Sequence, residues 1–201
     1  MPLAPRRIRI VLRLTFLAIL LSSPMLAQKF GFNAGIKGGI PFTDFLKSAG
    51  FIDGVPFTSV SRTNNFLVGP VVELTIPFGF AIELDGLYHR AESTANLPSP
   101  SVPVDIKANA WELPYLAKFR FPIPLLKPFI LGGGAYRTFT DLSPNVSAAK
   151  NGLVLGGGVE LKIKKLRLSG EVRFLHWGES SSTAPIRASQ NQGEFLLGAT
   201  F

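Results

Sequence analysis

The sequence predicts an all-β chain, an eight-stranded antiparallel up-and-down transmembrane β-barrel. Three observations carry that expectation. Apolar and polar side chains alternate with a period of two in one segment after another. The connections between those segments alternate long and short. A basic stretch followed by an apolar one stands in front of them all. Successive strand side chains point to opposite faces, so the alternation gives each strand one apolar and one polar face.

The leader comes first in the chain. Arg6, Arg7, Arg9 and Arg13 precede the apolar run Leu14–Leu21, which Ser22, Ser23 and Pro24 interrupt; Ala27 offers a cleavage point. The run is too short to span a bilayer as a helix, so residues 1–27 read as a signal peptide and residues 28–201 as the barrel domain. Without the leader, 17 of the 21 Lys and Arg remain against 13 Asp and Glu, a net charge of +4. The basic residues alternate with acidic ones and form no patch, which argues against a nucleic-acid partner. The chain has no cysteine, which excludes disulfides, thiolate metal sites and a lipidated cysteine. Export without disulfides points to a bacterial envelope protein.

The clearest segment is Asn151–Trp177, in which Leu153, Leu155, Val159, Leu161 and Ile163 lie opposite Glu160 and Lys162. After Lys164-Lys165 the alternation resumes, Leu166, Leu168, Val172 and Phe174 lying opposite Arg167, Glu171 and Arg173. A hairpin about the lysines puts Ile163 across from Leu166 and Leu161 across from Leu168, so the apolar faces coincide. Upstream, alternation marks strands over residues 30–40, 65–76, 80–89 and 111–121. Residues 129–139 form a strand whose faces are ambiguous, because Gly132, Gly133 and Gly134 occupy its middle. Residues 190–201 are the last strand. Residues 41–63, 91–105, 140–150 and 178–189 read as long loops, whereas Pro77–Gly79, Pro122–Lys127 and Lys164-Lys165 are short turns. A soluble sandwich has no reason to sort loops by parity; a membrane barrel does, with short turns in the periplasm and long loops outside. Pro70 and Pro114 remove ladder donors within strands and are expected to mark bulges.

In lipid the apolar faces turn outward and the polar ones face the lumen. The expected lumen network is Lys37, Glu73, Glu83, Asp85, Glu112, Lys118, Arg120, Glu160, Lys162, Arg167, Glu171, Arg173 and Glu194, six basic and seven acidic groups. Such a set is tolerable in an interior only if it pairs. Eight strands leave little more than side-chain room, so the expectation is a plugged, ion-paired interior. Aromatics should form two girdles: Phe30, Phe80, Phe119, Phe121, Phe129 and Phe201 at the short-turn end, and Phe66, Tyr88, Trp111 and Tyr136 at the other.

Trp111–Phe119, WELPYLAKF, resembles a strand of the outer-membrane β-barrel domain family of porin-like proteins, and Pro128–Arg137, PFILGGGAYR, is similar to the strand that follows it there. Leu153–Glu160, Glu171–Trp177 and Gln190–Phe201 resemble its closing strands. The family shares its architecture with the OmpA-like and OmpX-like barrels. The resemblance implies location in the bacterial outer membrane, contact with its lipid, and delivery by periplasmic chaperones to the barrel-assembly machinery. Phe201 looks like the terminal aromatic by which that machinery recognises its clients.

Candidate chemistry is thin. Gly132–Gly134 and Gly156–Gly158 neither open a helix nor precede Lys-Ser/Thr, so they are no phosphate cradle. His176 has outward parity near Ser180–Ser182, the nearest approach to a lipid hydrolase, but Glu171 lies on the other face. His89 faces inward beside Glu83 and Asp85. No catalytic, cofactor-binding or metal-ligating residue is assigned, and a non-enzymatic structural or surface-interaction role is expected. A narrow channel for small solutes is the alternative, and a lipid-modifying enzyme a remote one.

Overall fold

The computed structural model describes residues 30–43, 49–52, 55–61, 65–96, 103–142, 146–179 and 186–201. The expected signal peptide and Ser180–Ser182 lie outside them. Eight strands wind in chain order: β1 (Gly31–Pro41), β2 (Phe66–Thr75), β3 (Phe80–Asp85, continued by Leu87–Arg90), β4 (Pro103–Arg120), β5 (Leu126–Leu142), β6 (Asn151–Ile163), β7 (Leu166–Trp177) and β8 (Asn191–Thr200). Each pairs antiparallel with its successor, and β8 returns to β1 with Gly35 opposite Thr200 and Pro41 opposite Glu194. The sheet closes on itself. Phe201 completes the closure, exchanging two backbone hydrogen bonds with Ala34 at 3.0 and 3.1 Å.

The β6–β7 register sets Ile163 opposite Leu166 and Leu161 opposite Leu168, the pairing expected of a two-residue reversal. Lys164 reaches the left-handed region, with φ of 56°. Phe78 in the β2–β3 turn and Leu125 in the β4–β5 turn share that conformation, with φ of 68° and 70°.

Side-chain polarity runs opposite to that of a water-soluble barrel. Phe32, Ile36, Ile82, Tyr115, Ile130, Leu153, Leu155 and Leu197 stand exposed on the outer wall, while charged residues between them are buried inside. Leucine exposure on this scale forms a contiguous apolar surface of a kind that soluble monomers avoid. At the short-turn end Phe80 and Phe119 pack with ring centroids 5.0 Å apart, and Phe119 meets Phe121 at 5.3 Å. Toward the long-loop end Phe66, Tyr88 and Trp111 form a second chain of rings, at 6.4 and 5.6 Å. Phe129 does not belong to a girdle. It points into the barrel, 2 % exposed, beneath the Lys118 ammonium at 4.2 Å from its centroid.

Two expectations about the backbone are corrected. Neither Pro70 nor Pro114 marks a bulge: the β1–β2 register runs unbroken through Ile36 opposite Pro70, and the β4–β5 register through Pro114 opposite Ala135. A proline removes one donor but demands no extra residue, and Gly86 still donates its amide to the Pro70 carbonyl at 2.9 Å. The irregularity lies instead between Asn109 and Ala110. The second correction concerns the long connections. Ala49–Ile52 pairs with Val55–Ser61, that segment with Glu92–Asn96, and the last with the beginning of β4. The β3–β4 hairpin therefore continues into both ends of residues 91–105, where proline and serine predict a loop. Pro103 opens its strand, where a missing amide costs no interior ladder bond. Val146–Ser147 and Ile186–Arg187 form a short parallel pair joining the last two long connections.

Candidate functional site: the barrel interior

The interior is built from alternate residues of all eight strands, and three levels of polar contact stack along it. At the short-turn end Glu73 (β2) accepts from Arg120 (β4), from Lys118 at 3.4 Å and from Arg167 (β7) at 3.3 Å. Asn33 (β1) donates to Glu73 at 3.4 Å, and the Thr75 hydroxyl donates to it at 3.2 Å. Glu160 (β6) closes this level, 2.9 Å from Arg120 and 3.8 Å from Arg167.

The middle level is the most condensed. Lys37 Nζ lies 2.5 Å from Glu83 Oε1, 2.9 Å from Glu171 Oε1 and 3.5 Å from Asp85 Oδ2. Arg173 Nη2 meets the same three oxygens at 2.9, 2.6 and 2.6 Å. Lys118 links this level to the one below through Glu83 Oε2 at 2.7 Å. Two cations thus hold three carboxylates, with Arg173 fully buried. Charges withdrawn from water are tolerable only with this degree of mutual contact.

Toward the long-loop end, His89 Nδ1 lies 2.7 Å from Glu112 Oε1. The Gln192 amide nitrogen donates to Glu194 at 2.5 Å and to Glu112 at 3.4 Å, while its carbonyl accepts from the Trp177 indole at 2.9 Å. Above them Arg137 stacks on the Trp177 ring, 3.9 Å from its centroid, and donates to the Ala149 carbonyl at 2.5 Å. His89 thus belongs with Glu112, not with Glu83 and Asp85, because Lys37 and Arg173 already occupy those two acids.

Of the expected network, Lys37, Glu73, Glu83, Asp85, Glu112, Lys118, Arg120, Glu160, Glu171, Arg173 and Glu194 are buried, and Arg167 is partly so. Lys162 differs. It has inward parity but sits one step above the β6–β7 turn and is exposed. Sequence reasoning missed Arg137, because three glycines erased the alternation of β5; extending the parity of Leu131 and Ala135 across them would have found it. The interior is also less uniformly polar than expected. Leu116, Phe129, Leu131, Val154, Leu175 and Trp177 make an apolar cluster against β4–β7, and Leu67, Leu87 and Leu196 a second one.

Two groups have metal-compatible spacing: Glu83, Asp85 and Glu171, and His89, Glu112 and Glu194, each within 4.8 Å. In the first, an ammonium and a guanidinium already stand where a cation would. In the second, the Gln192 amide bridges the two carboxylates. His176 is on the outer face, bonded to Asn191 at 2.8 Å, with Glu171 on the inner face of the same strand.

No family model and no curated protein matches the sequence. The fold does have counterparts among solved structures. The outer membrane protein OprG from Pseudomonas aeruginosa superposes with a TM-score of 0.57 at 12 % identity, covering 86 % of this chain and 95 % of that one. Neisserial surface protein A gives a TM-score of 0.54 at 12 % identity, covering 86 % and 98 %. The chain is an all-β, closed, eight-stranded antiparallel barrel of the kind found in outer-membrane proteins.

Proposed function

We propose that the chain is an exported bacterial outer-membrane protein with a plugged, ion-paired lumen and a structural or surface-interaction role, its long loops providing the contact surface. The observation that carries this reading is the inversion of polarity: Leu153 and Leu155 are exposed on the wall while Arg173, Glu112 and Glu194 are wholly enclosed. Water outside would penalise the first group, and lipid outside the second only if it were not enclosed. Surrounding lipid, periplasmic chaperones and the barrel-assembly machinery are the partners, and residues 1–27 the export signal. No catalytic step is assigned.

Planar-bilayer recording tests the plug. The refolded, heat-modifiable barrel is expected to give no discrete openings, because the Lys37–Arg173 level and the apolar cluster share the cross-section. Stable unitary conductance would replace this reading with a narrow solute channel.

Phe201 supports the assembly part of the proposal, since it is exposed at 73 % while its backbone seals β8 to β1. Deleting it is expected to lower the yield of heat-modifiable barrel in cells. An undiminished yield would remove the terminal-signal role.

A further inference from the structure

On the outer wall, Phe80 (β3), Phe119 (β4), Ile130 and Gly132 (β5) and Leu155 (β6) line an apolar groove of about 440 Å³. Gly132 leaves its floor low, since a Cβ there would come within 3.2 Å of Leu155 Cδ2. The two strands flooring the groove, β5 and β6, run down to a basic rim. Lys164 and Lys165 are exposed in the turn where β6 meets β7, whereas Lys127 and Lys162 share the inward parity of Phe129 and Glu160. Among the described residues the exposed carboxylates, Asp141 and Glu179, belong to the long-loop end.

We propose that this face binds one anionic phospholipid of the periplasmic leaflet, an acyl chain in the groove and its phosphate at the lysine rim. The inference rests on the bilayer-spanning reading above. Spacing and charge both select the ligand. Ile130 stands opposite Gly157, seven residues above Lys164, and Leu155 lies nine above it, roughly 23 and 30 Å along β6. A phosphate at the rim therefore sends its chain through the groove. Basic side chains near a bilayer surface favour anionic over zwitterionic headgroups. The β4–β5 turn beside them, with Ile123, Leu125 and Leu126 exposed, supplies an apolar flank.

The test uses the full chain folded into phosphatidylcholine vesicles containing phosphatidylglycerol, followed by native mass spectrometry of the extracted protein. One retained phosphatidylglycerol is expected. In K164Q/K165Q its retention should fall by roughly fivefold per lysine. In G132L it should be lost, with the lysines intact. Equal retention of both lipids, or retention indifferent to the lysines, overturns the proposal. So does a dimer without lipid, which would give the groove to a second copy. Trp111, 40 % exposed on the wall, separates this failure from that of the spanning reading. In W177F, brominated lipid quenches Trp111 if the barrel spans the bilayer, whatever the outcome for the groove; unquenched emission would refute the spanning reading itself.

Discussion

Replacing Arg173 by methionine is expected to cost the folded barrel about 3–5 kcal/mol, the penalty for leaving buried charge without its partner. The effect should be large because Arg173 is not one of many equivalent cations. Its Nη2 touches Glu83, Asp85 and Glu171, and with it removed those three carboxylates keep only Lys37 and, on the far oxygen of Glu83, Lys118. Methionine fills part of the space, so the loss reports charge more than volume. The readout is the urea midpoint of the refolded protein, followed by heat modifiability. Adding Asp85→Asn should recover part of the loss by removing one of the uncompensated acids. The exchange Glu171→Arg with Arg173→Glu should be milder than either change alone, because the two face inward from alternate positions of β7 and serve the same cluster. A midpoint unmoved by R173M would mean that water, not protein, satisfies the middle level.

Gly69→Val is expected to prevent closure altogether, a cost beyond about 4 kcal/mol. Gly69 faces inward on β2 opposite Lys37, and a Cβ there would collide with the Gly86 carbonyl of β3. The obstacle is backbone, which a rotamer change cannot relieve. Gly170→Ala is the control. Its Cβ would stand 3.6 Å from Leu197 Cδ2, an ordinary contact on the outer wall, and the heat-modifiable form should persist. Normal folding of G69V would show that β2 and β3 can separate at this point without loss of the barrel.

Much of this architecture could be read from the chain because a barrel wall is two-sided. Each residue of β6 and β7 must face the outside or the lumen, so Leu161, Leu168, Glu171 and Arg173 announced both the register and the side. Where side chains vanish, the signal vanishes. Gly132–Gly134 hid the inward parity of β5, and with it Arg137 and the enclosed Phe129. Pairing partners across the lumen were likewise illegible: Lys37 and Glu171 lie 134 residues apart and meet only because the sheet closes. The reading of Pro70 and Pro114 as bulges failed because it treated a missing donor as an extra residue. The outer ribbons were missed for a different reason. Proline, glycine and serine in residues 41–63 and 91–105 do break strands in isolation, but here each short strand extends a hairpin already aligned by the barrel beneath it.

That extension alters what the exposed end can present. Strand β4 is 18 residues long and β5 is 17, whereas roughly 9–11 tilted residues suffice to cross a bilayer. The surplus, at about 3.3 Å per residue, amounts to some 20–25 Å of strand beyond what a bilayer crossing needs. On the proposed reading, a contact surface carried on such a stalk would stand clear of the bilayer, its backbone geometry inherited from the wall. Residues at that end would then be replaceable without altering the interior, so that surface identity and barrel stability could diverge independently.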